Sequence, residues 1–520
     1  MSARGSIGEW LSMLRPPAAD EDEPAVPKFS VAARDALGDT RLRSSLRTAT
    51  STISQRAAAA AGELDDWEEL RAAGQAIKDH TLLNLDAYLE ELDRSVTEAG
   101  GTVHWARDAA EACAIVTGLV AATGHREVVK VKSAVSREIG LNDALAAAGI
   151  RPHESELAEL IVQLGEDRPV HSLLPAIHRG RAEIRELFLR ELPGVPPELA
   201  DDPAQLAAAA RRYLRGVFRT AKVAVSGANF AVADTGTLVV LESEGNGRMC
   251  LTLPETLISV VGIEKVVPTW SDLEVFLQLL PRSSGGERMT PYISTWTGVA
   301  AGDGPRAFHL VLLDNGRTNA LADDVGRTAL RCIKCTACLN VCPVYERTGG
   351  DAYGPVYPGP IGAILTPQLR GMETPLHASL PYASTLCGAC ADVCPVKIDI
   401  PDVLIHLRGQ VIEARRRRPV PTPEMAMMRS VAWTLGDHGR YEKALRQTAR
   451  WARLLARDGR IRRLPGLLGK WTDARDLAAP PKDSFRAWWQ NRAGLPSRSV
   501  RRPGEQPRPR RSPYPPRAPE

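Results

Sequence analysis

Seven of the chain's nine cysteines fall into two short runs, and their spacing restricts what the chain can fold around more than any other feature. Cys332, Cys335, Cys338 and Cys342 follow C-x2-C-x2-C-x3-C, with Pro343 directly behind. Cys387, Cys390 and Cys394, with Pro395, repeat the last three positions of that frame. The full run is the one used by two-cluster bacterial ferredoxins. Three thiolates spaced by two residues wrap one four-iron cube. The fourth, displaced by three residues and followed by proline, points away to the other cube. This crossed rule predicts one [4Fe-4S] cluster on Cys332, Cys335, Cys338 and Cys394, and a second on Cys342, Cys387 and Cys390. Zinc prefers paired knuckles that close four ligands around one ion, and seven cysteines in ferredoxin order fit that poorly. The opening MSARGSIGEWLSMLRPP lacks the apolar core of a secretory signal. The expected location is therefore cytoplasmic, a reducing compartment in which clustered cysteines bind metal rather than one another. Cys113, in the helical pattern EACAIVTGLV, and Cys250, in MCLTL read as a short strand, are expected to pack as small hydrophobes.

The second run lacks its first ligand. Counting back in the frame places that position at Ser384, in PYASTLC. A serine alkoxide can ligate iron but is a poor donor until deprotonated. Hydroxide, a group from elsewhere in the chain or from a partner, and a [3Fe-4S] cluster with no fourth site are the other options. The plainer expectation is that Ser384 is a spacer. A non-cysteine ligand would change the potential of the second cluster.

At 520 residues the chain exceeds one ordinary domain, so two or three are expected. No apolar run approaches the roughly 20 residues that span a bilayer. The net charge of +4 is unevenly placed: residues 401–520 hold 27 Lys+Arg against 11 Asp+Glu, whereas residues 1–400 hold 39 against 51. The basic end includes RRRR at 415–418 and the Pro/Arg-rich tail. It suits an acidic partner or a peripheral contact with an anionic membrane face. No nucleic-acid module is recognisable, so no nucleic acid is expected.

Along the chain, residues 1–60 read as a loosely ordered N-terminal region. From 61 to 121 the apolar positions fall at helical spacing. REVVKVKS at 126–133 then reads as a strand, IGLNDALAAAG at 139–149 as a helix, and residues 222–267 as a valine-rich series broken by glycines. Such alternation predicts an α/β layered domain over 61–320. No phosphate-binding glycine motif follows a strand. The most site-like segment is SGANFAVADTGTLVVLESEGNGR, where Asn229, Asp234, Thr235, Gly236 and Asn246 are candidate ligand-site residues at strand ends. Ordinary turn chemistry accounts for the same residues. Lys130, Lys132 and Ser133 can bind an anion, but alternating lysines more often form a solvated strand face. His171 and His178, seven apart, lack an acidic or cysteine companion nearby and read as structural. Downstream, the long spacer 343–386 and the helical spacing of Ile400, Val403, Leu404, Leu407 and Val411 predict a helical ferredoxin-like domain over 321–412. A small basic, Trp-containing helical domain is expected over 413–490, and a disordered tail over 491–520.

The stretches VVKVKSAVSREIGLNDAL, SGANFAVADTGTLVVLESEGNGRM, VGIEKVVPT, CIKCTACLNVCPVY, YGPVYPGPIGAILTP and LCGACADVCPVKIDIP occur here in that order. Together they give the chain, over roughly residues 60–490, a resemblance to the lactate utilization protein B family. That family is the iron–sulfur subunit of the three-part bacterial system that oxidises L-lactate to pyruvate. The resemblance implies a lactate-utilisation (LUD) domain with a fold similar to the NagB/RpiA/CoA-transferase group, followed by the two-cluster helical domain and a small C-terminal domain. It implies two [4Fe-4S] clusters with the cysteines partitioned as above, the second short of a cysteine throughout the family. The implied partners are sister subunits, one cysteine-rich and one carrying a second LUD domain. The leading expectation is electron transfer within that complex. The alternative is that the α/β domain itself binds or oxidises the hydroxy acid, which would make the chain a catalytic iron–sulfur oxidoreductase.

Overall fold

The computed structural model describes residues 27–167, 175–176, 178–302, 304–354, 356–417, 422–472, 475–481, 485 and 488–489. The N-terminal 26 residues, His171 and the tail 491–520 lie outside the described residues. The chain divides into two compact units, Met1–Ala414 and Arg415–Glu520.

Ten strands are described in the first unit: β1 (Thr102–Ala106), β2 (Glu127–Lys130), β3 (Arg151–Glu154), β4 (Val223–Ser226), β5 (Phe230–Val232), β6 (Thr237–Glu242), β7 (Thr256–Gly262), β8 (Val266–Val267), β9 (Tyr292–Trp296) and β10 (Ala307–Leu313). Six of them form a parallel sheet in the order β1-β10-β7-β4-β2-β3. TLISVVG and AFHLVLL, two of its interior strands, are near-continuous apolar runs, as a sheet covered on both faces requires. Successive side chains point to opposite faces. Val223 and Val225 join a core with Val116, Val120, Leu141 and Leu145, whereas Ala224 joins Leu85, Leu89 and Leu92 on the other side. Helices therefore pack on both faces of the sheet.

A second sheet, β8-β5-β6-β9, lies between this layer and the cysteine-bearing segment. Ala231, Leu238 and Val240 face the core of the parallel sheet; Phe230, Val232 and Val239 face a core shared with Leu339, Tyr345, Ile364 and Leu404. β5 turns into β6 at Gly236, whose φ is +68°. A Cβ there would stand 2.7 Å from the Val96 nitrogen, so turn and helix Leu85–Glu98 meet backbone to backbone.

The cysteine-bearing segment is helical. Its longest elements are Gly359–Arg370 and Ile400–Arg416. Ile400, Val403, Leu404, Leu407 and Val411, the residues whose spacing predicts the second helix, are the residues buried on it.

The structure departs from the sequence reading in several places. Residues 29–60, expected to be loosely ordered, form helices Phe29–Gly38 and Thr40–Ala61. Asp39 caps the second by accepting the Leu42 N–H at 2.9 Å, and Leu46, Thr50, Ile53 and Ala60 are buried on it. Within the helical stretch 61–121, TVHWA is instead edge strand β1. Cys250 sits in helix Asn246–Thr252, not in a strand. Lys130 does not belong to a solvated face: it is buried, 2.8 Å from the Glu154 carboxylate.

In the second unit, helices Pro423–Leu435 and His438–Leu455 bury no residue, and β11 (Arg460–Ile461) pairs antiparallel with β12 (Leu477–Ala478). Among the described residues no helix is long and apolar enough to cross a membrane.

Candidate metal centre

The cysteine motifs are built from very short helices, Ala337–Asn340 and Ala389–Asp392, joined by left-handed turns. Among the described residues seven non-glycine positions have positive φ, and four of them lie here: Lys334, Thr336, Leu386 and Lys397. Ordinary side chains held in this region concentrate at functional sites. The turns aim peptide N–H groups at sulfur. Lys334 donates to Cys332 Sγ at 3.4 Å, Tyr345 to Cys342 Sγ at 3.5 Å and Ile398 to Cys394 Sγ at 3.3 Å. Such bonds to a ligating sulfur tune a cluster's potential.

All nine cysteines are free thiols. Cys335, Cys342, Cys390 and Cys394 are buried, Cys332 and Cys338 half-buried, and Cys387 exposed. Their electrostatics sort them into two sets. Burial pushes the Cys338 thiol well up, and Cys335, Cys332, Cys394 and, least, Cys390 push it further. Cys335 is raised by burial and then by Cys394 and Cys332. Burial raises Cys390 to about 12, helped by Cys342 and Cys387. Cys342 is raised by burial, against the N–H groups of Tyr345 and Val344, and feels Cys387. Electrostatic coupling thus links Cys335 and Cys338 chiefly with Cys332 and Cys394, and Cys390 with Cys342 and Cys387, while Cys390 also reaches Cys338. Among the described residues no three Cys, His, Asp or Glu side chains converge as the ligands of a single ion would. Cys113 and Cys250 stand apart, raised by burial to about 11 and about 12. Such thiols stay protonated and unreactive.

Ser384 is half-buried, and its Oγ accepts the Leu386 N–H at 3.1 Å. That bond closes a serine turn directly before Cys387. The candidate loop residues of the α/β domain are split. Asn229 accepts the Leu241 N–H at 2.9 Å through its side chain, at one end of the β5–β6 hairpin. Asp234, Thr235 and Gly236 form the turn at the other end, the first two exposed. Asn246 is buried and donates to Ser155 Oγ at 3.1 Å. His178 has an acidic companion that the sequence reading missed: its Nε2 is 3.1 Å from Asp167, which Arg179 also holds.

The largest omission of the sequence reading lies at the C-terminal ends of β7 and β10. Arg317, 1% exposed, makes a bidentate pair with Glu138, both bonds at 2.9 Å, and its Nε donates to Glu264. Asn315 Nδ2 donates to Glu138 at 2.7 Å, and the Tyr357 hydroxyl donates to the same carboxylate. Gly262 leaves room for the pair, since a methyl there would collide with the Arg317 guanidinium and the Glu264 carboxylate. Burial pushes the Glu264 carboxyl up, but Arg317, Lys334 and Lys265 outweigh it and hold it at about 2. Lys334, between Cys332 and Cys335, lies over the Tyr357 ring at 4.0 Å, so the network reaches the cysteine loop. One signal was available in the sequence: in VGIEKVV a carboxylate and an ammonium interrupt a strand with no polar face.

A parallel α/β layer joined to a helical segment with two cysteine motifs defines a class, and comparison with known families agrees. Residues 89–313 match the LUD domain and residues 328–398 the 4Fe-4S dicluster domain. Lactate utilization protein B of Oceanobacillus iheyensis is 44% identical over 83% of this chain and 90% of its own length. Lactate utilization protein B 1 of Bacillus mycoides is 41% identical over 87% and 94%. The chain belongs to the lactate utilization protein B family. A crystal structure of a DUF162 family protein from Deinococcus radiodurans covers 44% of this chain and 98% of its own at 13% identity and a TM-score of 0.25, a likeness that carries no argument.

Proposed function

We propose that this chain is the iron–sulfur electron-transfer subunit of an L-lactate-oxidising system, holding two clusters in its dicluster domain. Cys332, Cys335, Cys338 and Cys394 hold the first; Cys342, Cys387 and Cys390 hold the second, with Ser384 a spacer rather than a ligand. What supports this reading is the electrostatic coupling of Cys335 and Cys338 with Cys332 and Cys394, and of Cys390 with Cys342 and Cys387, which crosses the two sequence motifs. A cube takes one thiolate at each corner, so its ligands surround a volume and need not converge on a point. When bound, the clusters supply one-electron carriers. The protein's own part is to direct peptide N–H groups at the sulfurs of Cys332, Cys342 and Cys394 and to bury Cys335, Cys342, Cys390 and Cys394 from water. The charged groups at the sheet's C-terminal end satisfy one another, Arg317 with Glu138 and Glu264, which favours a relay over an α/β domain that oxidises the hydroxy acid itself. On this reading residues 61–320 dock the cluster domain of 321–412, sister subunits deliver the electrons, and the basic region from 413 makes a peripheral contact, all in the cytoplasm.

Anaerobic reconstitution tests it. About eight irons with matching sulfide are expected, or about seven with a three-iron second cluster. Cys342→Ser should disturb the EPR signal that also depends on Cys387, and Cys394→Ser the signal that depends on Cys332. Two irons, bound zinc, or each substitution acting on its sequence-local cluster would overturn the assignment.

A further inference from the structure

Helix Trp67–Leu83 places Arg71 and Lys78 two turns apart on one face, and both are buried. Arg71 donates from Nε and Nη2 to the Cys394 carbonyl at 3.0 and 2.8 Å, and from Nη2 to the Asp392 carbonyl at 2.8 Å. These carbonyls lie at the C-terminal end of helix Ala389–Asp392, where acceptors lack intrahelical partners and a cation is favoured. Its carboxylate partner, Glu68, is largely exposed, so solvent screens that pair. Lys78 is 2% exposed and donates to the backbone carbonyl of Glu264. The Glu264 carboxylate is itself engaged by Arg317. A buried ammonium whose hydrogen-bond acceptor is a neutral carbonyl needs a further counter-charge. Glu264 is the main counter-charge for both Lys78 and Lys265, shared with Arg317, and Cys332 adds a smaller one. A thiolate-ligated cluster, net negative, would add to the shared or screened carboxylates that these cations already have.

The other cysteine set has different company. After burial, the largest influences on Cys342 and Cys390 are peptide N–H groups and their own companion thiols, and the cation beside that motif, Arg408, is bonded to the Pro381 and Ser384 carbonyls at 2.8 and 3.3 Å. The phenol ring of Tyr353 lies within electrostatic reach of Cys342 and then Cys338, and that of Tyr345 within reach of Cys338 and then Cys342.

We infer that helix Trp67–Leu83 sets the order of the two reduction potentials: Arg71 and Lys78 hold the cluster of Cys332, Cys335, Cys338 and Cys394 above the other, so that a shared electron rests on it. Adding an electron makes a cluster more negative, and a buried cation stabilises that form more than the oxidised one. Arg71 and Lys78 act through the field at the cluster and are positioning residues. The inference rests on the ligation proposed above.

An EPR-monitored redox titration of the reconstituted full chain tests it. In the unaltered protein the higher of the two midpoints should belong to the signal that Cys394→Ser removes. In Lys78→Met and Arg71→Gln that signal alone should move to lower potential. Its ratio of reduced to oxidised form at the original midpoint should fall about tenfold, ~59 mV for a one-electron couple, and Lys78→Arg should restore it. Equal shifts in both signals, or none, would overturn the inference. So would a lower midpoint for the Cys394-dependent cluster, a result that needs neither charge variant to fold. Iron and sulfide content separates the two layers of the argument: an unaltered chain without clusters defeats the ligation, whereas a full complement with unmoved potentials defeats only the inference.

Discussion

Arg317 is among the largest fully buried side chains of the described residues. It is fully enclosed and holds Glu138 by two bonds and Glu264 by a third. Removing one partner of a buried ion pair leaves the others charged and dry, which costs about 3–5 kcal/mol. Arg317→Met should show a loss of that size in chemical denaturation. Arg288→Met, which breaks the exposed pair with Glu63, should cost under about 1 kcal/mol. The acid limb of stability follows from the same site. Burial raises the Glu264 carboxyl, yet the cations around it, Arg317 foremost, hold it at about 2 in the fold against an ordinary 4.5. Its contribution is therefore complete above about pH 4.5 and is lost as pH falls toward 2. Glu264→Gln should flatten the stability profile across that window and leave the neutral region without further slope. Ser384 gives the opposite kind of expectation. Its hydroxyl is spent on the Leu386 N–H, so Ser384→Ala should leave iron content and EPR spectra unchanged, while Ser384→Cys should shift the second cluster if position 384 faces it. An alanine variant converted to a three-iron form would make the serine a ligand.

Among the elements, helix Thr40–Ala61 is the least expected and the most exposed to test. Leu46, on its buried face, shares a core with Leu339, Cys342 and Tyr345, so the helix braces the first cysteine motif from the N-terminal side. Leu46→Ala should cost about 2–5 kcal/mol, and Asp39→Ala, which removes the cap, about 1 kcal/mol. Both should speed iron loss on mild denaturation, and a Leu46 variant as stable as the parent chain would remove the helix from this role. The sequence concealed it because TRLRSSLRTATSTISQRAAAAA carries its buried face on Leu46, Thr50, Ile53 and Ala60, two of them poor apolar signals. The helix Ile400–Arg416 was legible for the converse reason, since its buried positions are all aliphatic. Strand β1 was lost within a helical stretch because five residues offer too short a window to show a two-residue period. The dicluster segment was legible, because ligand spacing is local in sequence. The Glu138–Arg317–Glu264 network was not, because its members are separated by more than fifty residues and only the folded sheet brings them to one edge.

At the scale of the whole molecule the chain is electrically divided. Residues 1–414 hold 40 Lys+Arg and 53 Asp+Glu, a net −13, while 415–520 hold 26 and 9, a net +17. The division coincides with the two compact units. The second unit buries little: neither of its long helices has a buried residue, and Trp433, Trp451 and Trp471 stand exposed beside arginines such as Arg440, which lies 4.2 Å from the Trp433 ring centre. Indole rings and arginines together suit the boundary between water and lipid headgroups, and the charge suits an anionic surface. All seven motif cysteines and the core around them belong to the first unit. A chain ending at Ala414 should therefore retain the full iron and sulfide complement with unchanged EPR spectra. It should also lose affinity for vesicles of anionic phospholipid, which the full chain should bind at low salt and release as salt rises. Loss of clusters in the shortened chain would show that the C-terminal unit completes the cluster domain. Equal vesicle binding by both chains, or binding by the full chain that ignores salt, would take the contact away from the basic unit, because a surface of net −13 has no electrostatic reason to approach an anionic bilayer.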